Sequence, residues 1–334
     1  MPPIVSCGTK WCDEHGRRRR KLWSALIHTL IRPVVSPQAA RRLRLAGLRD
    51  MWYRYRMSMI KKFCRPIPLR VVAMRRLAKQ FSLFSYPDRL HIGAVERPHY
   101  GHCIYEAAKL AGRLGHREIS VIEFGAGGGN GLIDAEWHIA EIEKILPVKI
   151  QLYGFDNATG LPATQDYRDF PHYFRPGQFQ MDVEALRRKL QRGKLVLGEV
   201  ATTCQTFFQE FKPAPVGAIF HDLDFYSSTR DSLRLFEADA AGFLPRVFMY
   251  FDDIKGDNTW LANEYAGETL AINEFNRDHA TKKICLNRGM PNDYWDQYWV
   301  DQIYIYHDFE HPQYNLYVGG DESQQHDVAI KLRG

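Results

Sequence analysis

From residue 99 to residue 309 the chain alternates between segments of helical period and short apolar runs. Residues 100–114 read as a helix and "ISVIEFG" as a strand; residues 132–145 are helical and "KIQLYGFD" is extended. "LVLGEV", "VGAIFHDLD" and "RVFMYFDD" supply the next three strands, separated by helices over residues 203–211 and 228–240. A helix over residues 263–276 precedes "KKICLN" and "QIYIYHDF". Apolar runs joined by helical crossovers pair in parallel and are covered on both faces. The expectation is an α/β, Rossmann-like fold with a mostly parallel seven-stranded sheet. Ligands of such sheets bind outside the carboxyl ends of the strands, so the chemistry is sought there.

The first strand runs into "VIEFGAGGGNGL", an acidic residue followed by Gly125, Gly127 and Gly129 at alternate positions before a helix. Glycines let backbone approach a ligand where a Cβ would intrude. Such a loop also serves dinucleotides and plain structural turns, so its neighbours decide. Glu123 precedes the glycines, where a carboxylate repels a pyrophosphate but holds a cationic ammonium. The loop carries no basic residue for phosphates. The second strand ends in Asp156, followed by Asn157, and a carboxylate there is placed to accept two ribose hydroxyls. Glu123, Gly125, Gly127, Gly129, Asp156 and Asn157 are therefore expected to bind S-adenosylmethionine rather than a dinucleotide.

The fourth apolar run ends in Asp222 and Asp224 and the fifth in Asp252 and Asp253. Neighbouring parallel strands would bring these carboxylates to one edge, beside the glycine loop. Gathered anions repel and push each other's pKa up, unless a hard divalent ion that prefers oxygen ligands sits among them. Magnesium or manganese is the expected ion and all four aspartates are candidate ligands; helix capping accounts for one or two of them at most. A hydroxyl acceptor needs a base, and Asp222 is the first candidate. His221 is the second, although strand alternation points it to the opposite face from Asp222. "NDYWDQYWVDQIYIY", from Asn292, walls an acceptor pocket or packs along the sheet.

"GFDNATGLP", "HDLDFYSSTRDSL", "YFDDIKG" and "ETLAINEF" together resemble successive motifs of the macrocin O-methyltransferase family, over residues 120–275. The resemblance implies a class I methyltransferase fold and magnesium-dependent transfer of a methyl group to a hydroxyl, often on the sugar of a natural product. It implies metal ligation by Asp222, Asp252 and Asp253, a general-base role for Asp222, and methyl-donor contacts at Glu123, Gly125 and Asp156. "FDNATGLP" stands where the family usually has Phe-Glu before Gly-Leu-Pro, and the fifth strand lacks the preceding Gly-Gly. Two other readings compete: a glycosyltransferase using "DLD" to hold a metal against a nucleotide sugar, and a non-catalytic binding protein.

Charge divides the chain. Net charge is +6, yet residues 1–80 hold roughly 20 Lys and Arg against about 3 acidic residues. Residues 1–95 are expected to form a basic, partly disordered helical extension, 96–320 the methyltransferase domain and 321–334 a tail. Residues 21–31 suit a short helix, Ser36 and Pro37 open a second, and residues 69–80 a third. The extension, with "RRRR" at residues 17–20, suits a helical cap, an anionic membrane surface, a partner protein or a second copy of the chain (a homo-oligomer); nucleic acid is disfavoured. No apolar run reaches the roughly 18–20 residues that span a bilayer. Six scattered cysteines fit free thiols in a reducing compartment, and Cys7, Cys12 and His15 lack a fourth ligand for zinc. The expected location is cytoplasmic, with a peripheral membrane association open.

Overall fold

The computed structural model describes residues 69–80, 84–294 and 296–319. The chain divides into two units, Met1–Ile67 and Pro68–Gly334. The expectations for the basic segment up to residue 67, for its cysteines and for the tail lie outside the described residues. The second unit begins with α1 (Leu69–Gln80) and α2 (Tyr86–His91). Both had been grouped with the extension, but Tyr86 and Leu90 belong to the core and Arg75 pairs with Asp296 at 2.8 Å. A Ser85–Asp88 capping box starts α2, satisfying backbone donors that a buried helix end cannot leave bare.

The elements that follow are α3 (Pro98–Arg113), β1 (Glu118–Phe124), α4 (Asn130–Ile142), β2 (Lys149–Asp156), α5 (Val183–Lys189), β3 (Lys194–Leu197) and α6 (Val200–Phe211). Then come β4 (Val216–His221), α7 (Tyr226–Leu233), β5 (Phe243–Phe251), α8 (Gly267–Asp278), β6 (Lys282–Leu286), the short α9 (Met290–Asp293) and β7 (Ile303–Asp308). Strand order is β3-β2-β1-β4-β5-β7-β6, with β7 antiparallel to both its neighbours. That order, with an antiparallel strand inserted next to last, is the Rossmann-like class I methyltransferase arrangement. The expected helix over 228–240 is shorter: α7 stops at Leu233 and a 3₁₀ turn follows.

β1 is buried from its second residue and β4 throughout, as strands covered on both faces must be. Val121 and Phe220 face one layer with Tyr100, Ile104 and Leu132; Ile122 and Ile219 face the other with Phe207, Leu233 and Phe275. The chain reverses direction of winding between β1 and β4. Loops leaving those two strands part there and open a crevice at their carboxyl ends. No described helix is long and apolar enough to cross a membrane.

Candidate active site

A cleft of about 460 Å³ opens at that reversal, lined by the β1–α4 loop and the ends of β2, β4 and β5. Gly125 has φ +83, and a Cβ there would lie 1.8 Å from the backbone oxygen of Asp222. Only glycine lets the β1 loop pass so close to the end of β4. Gly127 and Gly129 also have positive φ and line the cleft. Asp156 fastens this loop: its Oδ2 accepts the N–H of Gly127 at 2.7 Å and its Oδ1 that of Ala158 at 2.6 Å. Each oxygen keeps a second lone pair for a ligand. Asn157 lines the cleft too, but its side chain closes its own turn, accepting from Thr159 N–H at 2.9 Å and donating to Gly160 O at 3.1 Å.

Glu123, 2% exposed, ends β1 beneath the loop. Its Oε1 accepts the Tyr100 hydroxyl at 2.7 Å, while Oε2 is buried with no partner. A Cβ at position 131 would lie 1.8 Å from Oε1, so Gly131 leaves the carboxylate its place over the start of α4. Burial pushes the Glu123 carboxyl up to about 8, against the pull of the Tyr100 hydrogen bond; Asp222 raises it further. Leaving a carboxylate oxygen buried and bare is unfavourable, and a cation in the cleft would relieve it.

Carboxylate oxygens of Asp222, Asp252 and Asp253 lie within 4.8 Å of one another. Asp224, expected with them, stands apart from that trio: φ is +59 and its backbone N–H donates to Asp253 Oδ2 at 2.7 Å. Glu268, at the start of α8 and fully buried, accepts the Asp253 N–H at 2.9 Å through Oε2, while Oε1 has no partner. The Tyr250 hydroxyl donates to Asp252. Burial, then the neighbouring Asp252, pushes Asp222 up to about 7; burial, then Asp222, does the same to Asp224. Asp253 and Glu268 are raised by burial and by the surrounding carboxylates. Four aspartates thus line one end of the cleft, with the buried Glu268 bonded to Asp253, and Arg97 is the single cationic lining residue among the described residues.

His221 does not join them. It is fully buried on the other face of β4, stacked on Phe251 at 4.4 Å and 11°, and burial lowers it to about 3. Neither ring nitrogen has a partner, and it is absent from the cleft lining. The expectation that it serves as a base is corrected by the alternation that points it away. The aromatic segment from Asn292 packs rather than lines the cleft: Trp299 is fully buried against His99, His102 and Tyr294. The cleft's apolar wall is Tyr173, Phe174, Phe179 and Trp260, from loops with no sequence signal. Arg97, Tyr100 and Glu268 were also missed. Glu268 alone had a visible cue, an acid opening a helix, which by itself reads as a favourable interaction with the helix dipole.

No protein-family profile matches the chain, and no curated protein matches it. Among solved structures it is similar to the calicheamicin methyltransferase CalS11 (21% identity, 67% of this chain and 91% of that one, TM-score 0.40). It is similar to the O-methyltransferase NovP (13%, 63% and 79%, TM-score 0.43). A third is the mycinamycin-pathway methyltransferase MycE in complex with Mg, SAH and mycinamycin VI (12%, 91% and 64%, TM-score 0.35).

Proposed function

We propose that the chain is an S-adenosylmethionine-dependent O-methyltransferase of the macrocin type. Its acceptor is a hydroxyl on a small sugar or natural-product-like molecule, and it works with Mg²⁺ or Mn²⁺. The observation that carries this is Glu123, buried with one bare oxygen at the head of a glycine loop that holds no phosphate-binding cation. A cationic ligand end fits there and a pyrophosphate does not. Bound S-adenosylmethionine supplies an activated sulfonium methyl, so the protein has chiefly to align an oxygen with it and remove the proton.

The residues fit both groups. For the donor, Asp156 has lone pairs to spare beside Gly127, and Glu123 has its bare Oε2. For the metal, the donor set is all carboxylate oxygen, the chemistry a hard divalent ion takes, and the orphaned Glu268 Oε1 marks missing positive charge. Held by Asp222, Asp252 and Asp253, such an ion would lower the pKa of an acceptor hydroxyl. Asp222 is the base: it lines the cleft as a member of the acid cluster, and its backbone borders the donor loop at Gly125. Tyr250 and Glu268 hold Asp252 and Asp253 in place. The wall of Tyr173, Phe174 and Trp260 keeps water from one side and offers flat faces to an acceptor.

Calorimetry with S-adenosylhomocysteine and with a nucleotide sugar, each with and without chelator, tests this. S-adenosylhomocysteine should bind on the order of micromolar with or without chelator, and the nucleotide sugar should not bind. Binding of the nucleotide sugar alone, dependent on metal, would point to glycosyl transfer instead.

A further inference from the structure

Arg97 is a charged residue of the cleft for which the proposed chemistry has no use. It precedes Pro98 at the start of α3 with φ 38 and ψ 61, a left-handed conformation that a non-glycine residue rarely adopts and that lies outside the extended region favoured before proline. The strain holds a charged side chain at the cleft when helix capping does not require it: Arg97 makes no side-chain cap. Its guanidinium lies 5.4 Å from the centre of the Tyr100 ring. Its ion pair is with Asp134 on α4, through Nε at 3.2 Å. Tyr100 in turn donates to Glu123 Oε1 at 2.7 Å, so guanidinium and buried carboxylate flank one ring at the same end of the cleft. Arg97 and Glu123 both line the cleft, and Arg97 is its one basic residue among those described.

A buried carboxyl group with one bare oxygen, and a cation set beside it but not paired to it, are complementary to a ligand end carrying both charges. An α-amino acid zwitterion is such an end: Glu123 Oε2 faces an ammonium and the planar guanidinium suits a carboxylate. We propose that Arg97 and Glu123 form a zwitterion clamp in which Arg97 binds the carboxylate of the donor's amino-acid moiety. This rests on the donor reading above and specifies which group of the donor each charge reads. Were Arg97 only a counter-charge for the aspartates, it would weaken or strengthen every ligand alike. As a clamp it discriminates by the ligand's carboxylate.

Calorimetry compares three probes on wild type and Arg97→Gln: S-adenosylhomocysteine, its decarboxylated analogue S-adenosyl-3-thiopropylamine, and 5′-methylthioadenosine, which lacks the whole amino-acid end. Wild type should prefer S-adenosylhomocysteine to the decarboxylated analogue by about 10- to 100-fold, the worth of a charge-assisted hydrogen bond. Arg97→Gln should lose that preference while binding 5′-methylthioadenosine as wild type does. Arg97→Lys should recover part of it, since a point charge lacks the bidentate fork. Equal losses for all three probes, or no loss for any, would overturn the clamp and leave the donor site standing. If the variants fail to fold, wild-type affinities decide alone: no preference for the carboxylate-bearing probe overturns it. Failure of wild type to bind any probe would remove the donor site and the clamp with it.

Discussion

Tyr100→Phe isolates the link between Glu123 and ligand charge. The substitution removes one hydroxyl and keeps the ring, which stacks on Phe220 at 3.8 Å and 15°. Glu123 loses its one described hydrogen-bond donor, leaving both oxygens bare. In the ligand-free protein Glu123, at about 8, is mostly protonated near neutrality. The lost bond is then one to a neutral carboxyl, worth about 1 kcal/mol of stability, or a fall in Tm of roughly 2–4 °C for a domain of this size. Donor binding feels the difference between the two forms. An ammonium is best met by the carboxylate, and the hydroxyl stabilises that form by about 1.5–3 kcal/mol, roughly 0.5–2 kcal/mol more than the neutral carboxyl, or up to about 1.5 pKa units. Affinity for S-adenosylhomocysteine near neutrality should therefore drop about 2- to 30-fold, while 5′-methylthioadenosine binds as before. Between about pH 5.5 and about pH 7.5, wild-type affinity should climb toward tenfold per unit as Glu123 sheds its proton, and the variant's curve should run parallel below it. Calorimetry at stepped pH reads both effects. A pH-independent affinity in wild type, or coincident curves, would refute the role given to Glu123.

Gly125→Ala should lower Tm and abolish donor binding together: the left-handed φ costs about 1–2 kcal/mol, and the new Cβ meets backbone, the Asp222 oxygen at 1.8 Å. Asp252→Asn and Asp253→Asn should each lose most methyl transfer yet keep donor affinity, with chelator reproducing the loss in wild type; transfer undiminished in excess chelator would end the metal assignment. Ligand-free stability should fall as pH rises from about 4.5 to about 8, because the folded state holds the Glu123 proton that the unfolded chain releases; denaturant titration at stepped pH checks the sign. His221→Phe should leave transfer unchanged and flatten the acid limb. The folded pKa of about 3 lies below the unfolded value near 6.5, so wild-type stability drops as pH falls through that window.

The sheet was legible because buried parallel strands leave near-continuous apolar runs, and the acids at their ends mark where burial stops. That alone grouped four aspartates, Asp222, Asp224, Asp252 and Asp253; the trio without Asp224, which the structure brings together, was singled out only by the family resemblance. What escaped depends on contacts made across the fold. Nothing local signals that β7 inserts between β5 and β6: "KKICLN" and "QIYIYHDF" read the same in either order. Tyr100 looks like any apolar residue on a helix until β1 places Glu123 beneath its hydroxyl, and Arg97–Pro98 reads as an ordinary helix start. Asn157, read as a ligand contact, lines the cleft while its side chain closes its own turn, a common use of asparagine. The His221 case shows strand alternation deciding correctly against a tempting neighbour.

The most direct test is a crystal structure grown with S-adenosylhomocysteine and Mn²⁺, with data collected for manganese anomalous scattering. The account requires ligand density along Gly125–Gly129, its ammonium toward Glu123 and its carboxylate toward Arg97, with one anomalous peak among Asp222, Asp252 and Asp253. Ligand density elsewhere, or an acid cluster without a peak at saturating Mn²⁺, would contradict it.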